Sequence, residues 1–142
     1  VPLSVVFDTN VLLSGIGWRG SPYQCLELAR HGHVDAVTCP EILDELDRIL
    51  RTKLRFSDEQ AIATRADLLS FLRLVTITNT VHVIADDPDD DKVVECAMVS
   101  GATHIVTGDR RHLLPLGQYQ AIAIISAMQL LTLVALPDDQ SG

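Results

Sequence analysis

Short, β-rich runs of mainly apolar residues, separated by helix-start signals, constrain this chain more than any other feature. Leu3–Phe7 (LSVVF) is apolar almost throughout and is cut off by Asp8, the pattern of a strand buried on both faces. Comparable runs recur at Val34–Thr38, Leu74–Thr78, His104–Thr107 and Ala121–Ile125. Between them stand residues that begin helices: Ser21-Pro22, Pro40, Ser57 with Gln60 as a capping box, and Pro88. These signals predict helices that end near His31, Arg51, Arg73 and Ser100, with Gly32 and Gly101 as stops. A short helical turn over Arg111–Leu116 and a last helix over Ala127–Val134 follow. The stretch after Asp8 carries Gly15, Gly17 and Gly20 and reads as a loop, and Val81–Ala85 reads as a further extended segment. Regular alternation of strand and helix predicts a single three-layer α/β/α domain over residues 1–136. Its sheet is central, mostly parallel and of about five strands, and residues 137–142 form a flexible tail.

Composition agrees with that architecture. Hydrophobic residues make up 47% of the 142 residues, enough for a core and too many for a disordered chain. Aromatics are only 4%, so Leu, Val, Ile and Ala must build that core. Cys25, Cys39 and Cys96 are odd in number and form no CxxC pair, which reads as reduced core thiols in a cytoplasmic protein. His31 and His33 flank Gly32 with no third nitrogen or sulfur donor nearby, a surface turn rather than a zinc site. The opening VPLSVVFDTN meets an acid at position 8 and does not resemble a signal peptide. Ala121–Leu136 is too short and too interrupted for a membrane span. The net charge of −8 argues against a nucleic-acid partner, unless some of the acids bind a cation that reverses the local sign.

The positions of the acids favour the second alternative. Asp8 and Asp109 each follow a strand, at the carboxyl edge where α/β sheets bind ligands. In the helix from Pro40, with Ile42 at 0°, the apolar face spans from about −20° to about 100°. Glu45 and Asp47 lie roughly 40° beyond its two edges, so either can turn inward. The run Asp86-Asp87-Pro88-Asp89-Asp90-Asp91 supplies a helix cap and first-turn acids. Asp90 falls at about 60° on a helix whose apolar face spans about 40° to 140°, and Asp91 falls on its margin at about 160°. A carboxylate aimed with core residues needs a partner, and several converging carboxylates need a cation. Oxygen donors without sulfur select a hard ion, Mg²⁺ or Mn²⁺.

The stretches VVFDTNVLLSG, PEILDELDRIL, DDPDDDKVVECAMVSGA and HIVTGDRRHLL resemble the PIN-domain ribonucleases, especially the toxin-like (VapC-like) prokaryotic members. The similarity covers about residues 3–134 and implies a PIN-like fold. It implies Asp8, Glu45, Asp90 and Asp109 as the catalytic acids, which selects Glu45 over Asp47. Asp8, Asp90 and Asp109 would hold Mg²⁺ or Mn²⁺, with Glu45 a ligand or a water-orienting base. Asn10, Thr107 and Asp87 would support them, and Arg110 and Arg111, next to Asp109, read either as contacts for RNA phosphates or as solvated surface charges. The implied reaction is hydrolysis of single-stranded RNA to products with a 5′-phosphate. The implied partners are a second copy of the chain and a small cognate antitoxin, with no membrane. An RNA-processing nuclease without a toxin role, or a silent PIN-like binding module, is the alternative. A phosphate receiver would need an acceptor Asp after the third strand, where Thr76-Ile77-Thr78 stands. A haloacid-type phosphatase would need D-x-D where Asp8-Thr9-Asn10 stands.

Overall fold

In a computed structural model of the chain, residues 3–82 and 88–135 are described, apart from the side chains of Pro88 and Asp89. Asp87, the rest of the extended segment at 83–85 and the expected tail lie outside the described residues. The strands are β1 (Leu3–Phe7), β2 (Val34–Thr38), β3 (Arg73–Leu74), β4 (His104–Val106), β5 (Gln118–Tyr119) and β6 (Ile122–Ile125). The helices are α1 (Thr9–Gly17), α2 (Ser21–Arg30), α3 (Pro40–Thr52), α4 (Asp58–Leu69), α5 (Pro88–Ser100), α6 (Leu113–Leu116) and α7 (Ala127–Ala135). The sheet runs β3-β2-β1-β4-β6-β5, parallel except for the edge strand β5. This is the expected α/β sheet with flanking helices, enlarged by one strand, the two-residue edge strand β5.

The order of strands explains where ligands can bind. From β1 the chain winds outward through β2 to β3, then returns through α5 to β4 on the other side of β1. Right-handed crossovers turn these two excursions to opposite faces, so the loops after β1 and β4 diverge and leave a crevice. The core sits beneath it. Val5, Val6 and Phe7 of β1 and Ile105 and Val106 of β4 are buried, and α5 covers them with Val93, Val94 and Ala97.

Two local expectations are corrected. The glycine-rich stretch after Asp8 is not a loop but the helix α1. Asp8 caps it by accepting the Val11 N–H, and Gly15 allows close packing on α2, since a Cβ there would lie 2.5 Å from Leu26 Cδ1. The third strand is also shorter and earlier than expected. Helix α4 ends at Leu69, and β3 holds only Arg73 and Leu74. Val75 still donates to the Thr38 carbonyl, but residues 78–81 turn away to Glu95, described below. The remaining boundaries agree with the helix-start signals. The Ser57–Gln60 capping box is formed, and Pro40 opens α3. Pro22 follows a Gly20 cap rather than a Ser21 cap. Cys25, Cys39 and Cys96 are buried thiols, and His31 and His33 are exposed.

Candidate metal centre

Asp8 and Asp109 meet where β1 and β4 end. Asp8 is 3% exposed. Its Oδ1 accepts the Val11 N–H at 2.8 Å, and its Oδ2 accepts the Thr107 hydroxyl in a very short hydrogen bond. The same Thr107 oxygen accepts the Asp109 N–H at 2.9 Å, so one buried threonine ties the two strand ends together. Thr107 is thus found beside the acids that it was expected to support. Burial raises the Asp8 carboxyl from 3.8 to about 6. The hydrogen bonds from Thr107 and Val11 oppose that rise, and the charges of Asp109 and Glu45 add to it.

Asp109 is shaped by its own turn. Its carboxylate accepts the N–H groups of Arg111 and Leu113, each at 3.0 Å. Burial pushes its carboxyl up, but hydrogen bonds from Asp90 and from backbone N–H groups outweigh this and hold it below the usual carboxylate range. Asp90 reaches Asp109 from the first turn of α5. Asp91 is buried at 7% exposure on the same helix. Asp90 lies beside Asp109, but Asp91, which its helical angle had put only on the margin of the apolar face, is the more buried of the two.

Glu45 projects from α3 to the same region. Its Oε1 accepts the Thr9 hydroxyl at 2.7 Å and lies 2.6 Å from Lys92 Nζ. The pair is only 16% and 10% exposed, so Lys92 neutralises a carboxylate that would otherwise be costly to bury. Asp47, the other candidate on α3, instead pairs with Arg51 at 3.0 Å on the outer side. Asn10 is exposed and lines a cavity of about 360 Å³ with Ser14, Ser21, Thr107, Gly108 and Arg110.

Three residues here carry little local sequence signal. Lys92 is hidden in an acidic run, where a lone lysine reads as a solvated charge. Glu95 is 3% exposed, and its carboxylate accepts the N–H groups of Thr78, Asn79, Thr80 and Val81 and the Thr78 hydroxyl. Burial pushes Glu95 up, but these donors prevail and bring its carboxyl below the ordinary value. His112 lies at the start of α6 with Nδ1 3.7 Å from both Asp90 Oδ2 and Asp109 Oδ2. Its only sequence signal was a D-x-x-H spacing after a strand.

The donor set fits a divalent cation. One oxygen of Asp90, one of Asp109 and a ring nitrogen of His112 lie within 4.8 Å of one another. Asp8, expected as a metal ligand, stands outside that group of three among the described residues, although its buried carboxyl feels the charges of Asp109 and Glu45.

The fold and this edge define an α/β protein with acidic side chains gathered at the topological switch point of its sheet. A family model described as "PIN domain" matches residues 4–111, and the chain belongs to that family. No curated protein matches it significantly in sequence. Solved structures with the same fold include VapBC2 from Rickettsia felis bound to a DNA fragment from its promoter. That likeness has a TM-score of 0.62 and 16% identity, over 87% of this chain and 98% of the other. PAE2754 from Pyrobaculum aerophilum is similar at TM-score 0.63 and 18% identity, over 94% and 90% of the two chains. VapC20 from Mycobacterium tuberculosis, described as a Sarcin-Ricin loop cleaving toxin, is similar at TM-score 0.55 and 14% identity, over 84% and 98%. Among the described residues no helix is long and apolar enough to cross a membrane.

Proposed function

We propose that this protein is a divalent-metal-dependent endoribonuclease that hydrolyses single-stranded RNA, acting as the toxin of a toxin–antitoxin pair. The observation that carries the proposal is the Asp8–Thr107–Asp109 chain of hydrogen bonds at the switch point, with Asp90 against Asp109. Membership of the PIN domain family and likeness to a VapBC complex and a Sarcin-Ricin loop cleaving toxin support it.

In this proposal Asp8, Asp90 and Asp109 hold Mg²⁺ or Mn²⁺. The bound ion supplies Lewis acidity toward the phosphate and lowers the pKa of water. Glu45, its Oε1 anchored by Thr9 and Lys92, turns Oε2 toward the attacking water and orients it. Water would add to phosphorus as the bond to the 3′ oxygen breaks, the water giving up a proton to solvent and the leaving 3′ oxygen taking one from solvent, so one product keeps the 5′-phosphate and the other a 3′-hydroxyl. Thr107 keeps the Asp8 and Asp109 carboxylates in register throughout. Arg110 and Arg111 are exposed beside Asp109 and serve as phosphate contacts, which offsets the overall charge of −8. A second copy of the chain and a small antitoxin are the proposed protein partners. The exposed apolar Met128 and Leu133 of α7 support contact with protein there.

The test is cleavage of single-stranded RNA by the purified protein with Mg²⁺ or Mn²⁺, with EDTA as the block. Activity is expected to disappear in Asp8→Asn without loss of fold. Equal cleavage by wild type and Asp8→Asn would identify a contaminating nuclease and end the proposal. For the helix α5 acids, metal titration is expected to be weakened by Asp90→Asn far more than by Asp91→Asn.

A further inference from the structure

We propose that His112 is a direct ligand of the metal, making the centre a mixed oxygen–nitrogen site that takes Mn²⁺ in preference to Mg²⁺. This rests on the nuclease reading above and adds a residue outside its four acids.

The geometry is specific. Asp109 follows β4, and its carboxylate accepts the N–H groups of the turn that leads into α6. That turn folds His112 back over the acid that organises it, so residue i and residue i+3 face one space. Asp90 approaches the same space from α5. His112 Nδ1 is equidistant from the two carboxylates, 3.7 Å from each. A nitrogen–oxygen hydrogen bond is about 2.9 Å long, so these two contacts are too long to be hydrogen bonds. Two donors on one ion, each about 2.1 Å from it, stand roughly 3.0–3.5 Å apart. The observed spacing is close to that second value, and all three donors fall within 4.8 Å of one another. The ring is 23% exposed, so an ion can enter without unfolding the turn.

Donor chemistry then sets the metal. Mg²⁺ prefers oxygen ligands and retains its waters, whereas imidazole nitrogen suits first-row transition ions. Replacing one oxygen or water by an imidazole therefore raises Mn²⁺ affinity more than Mg²⁺ affinity. The other described histidines do not offer this. His104 is bonded through Nδ1 to Thr103 at the opposite end of β4, and His31, His33 and His82 are exposed.

The test uses the full chain stripped of metal and titrated with Mn²⁺, with pulsed electron paramagnetic resonance as the readout. Directly bound ¹⁴N is expected in wild type and in His104→Gln, and absent in His112→Gln. His112→Gln is also expected to bind Mn²⁺ about tenfold or more weakly, with Mg²⁺ competition nearly unchanged. Mn²⁺ bound without a nitrogen signal in wild type overturns the inference and leaves the nuclease reading intact. An unaltered nitrogen signal in His112→Gln does the same. No Mn²⁺ binding at all overturns both. If His112→Gln does not fold, the wild-type spectrum alone still decides.

Discussion

Asp8→Asn should make the metal-free protein more stable while abolishing activity. Asp8 is buried, and its carboxyl is raised from 3.8 to about 6, chiefly by that burial. The native state therefore binds the Asp8 proton more tightly than the unfolded state does. Its contribution is fully favourable below the unfolded value near 3.8 and is lost as pH rises through about 6. At pH 7.5 the charged side chain costs about 3 kcal/mol. Asparagine removes the charge and keeps an oxygen for the Val11 N–H. Its amide nitrogen faces Thr107, whose hydroxyl must then turn from donor to acceptor, an offset of about 1 kcal/mol. The net gain is about 2 kcal/mol, or roughly 6 °C in Tm. Thermal and urea denaturation in EDTA at pH 7.5 and pH 4.5 check this, with the gain expected to vanish at the lower pH. With Mn²⁺ at 100 times its Kd, wild type should recover about 2.7 kcal/mol and the order should reverse. A variant no more stable than wild type at pH 7.5 in EDTA, or a gain that persists at pH 4.5, would refute the burial cost assigned to Asp8.

Three further outcomes follow from individual contacts. Glu95→Gln replaces one carboxylate oxygen by a donor that opposes backbone N–H groups of residues 78–81, so stability should fall by about 2–4 kcal/mol; hydrogen exchange at those amides should accelerate. Because the Glu95 carboxyl lies below its ordinary value in the folded state, wild type should lose this advantage as pH falls through the acid range. Gly15→Ala gains helix propensity but drives a Cβ to within 2.5 Å of Leu26 Cδ1, and urea denaturation should show a net loss of about 1–2 kcal/mol. Lys92→Met leaves the Glu45 carboxylate without its ammonium at 16% exposure, and should cost about 2 kcal/mol by the same measurement. Lys92→Arg should restore part of that loss.

The sequence by itself determined the alternation of strands and helices, most boundaries and the edge at which acids would gather. Those are local matters. An apolar run ended by Asp8, a proline at 40 and a capping box at Ser57 act within one turn or one strand, so their chemistry is visible in order along the chain. The placement of Asp8 and Asp109 at strand ends was legible for the same reason. Helical angle put Asp90 in the middle of the apolar face and Asp91 on its margin, yet Asp91 is the more buried of the two while Asp90 lies beside Asp109. What failed locally failed because partners are distant in sequence. Gly15 reads as a loop residue until α2 supplies Leu26 to pack against it. Thr76–Thr78 reads as a strand until Glu95, 17 residues on from Thr78, takes its N–H. Glu45 and Asp47 were equivalent by angle, and the fold separates them by bringing Thr9 and Lys92 to one and leaving Arg51 to the other. His112 shows the same limit. Its meaning depends on Asp90 arriving from another helix. Backbone patterning is a property of neighbours along the chain, whereas the charge balance of the site is set by groups that meet only when the sheet closes.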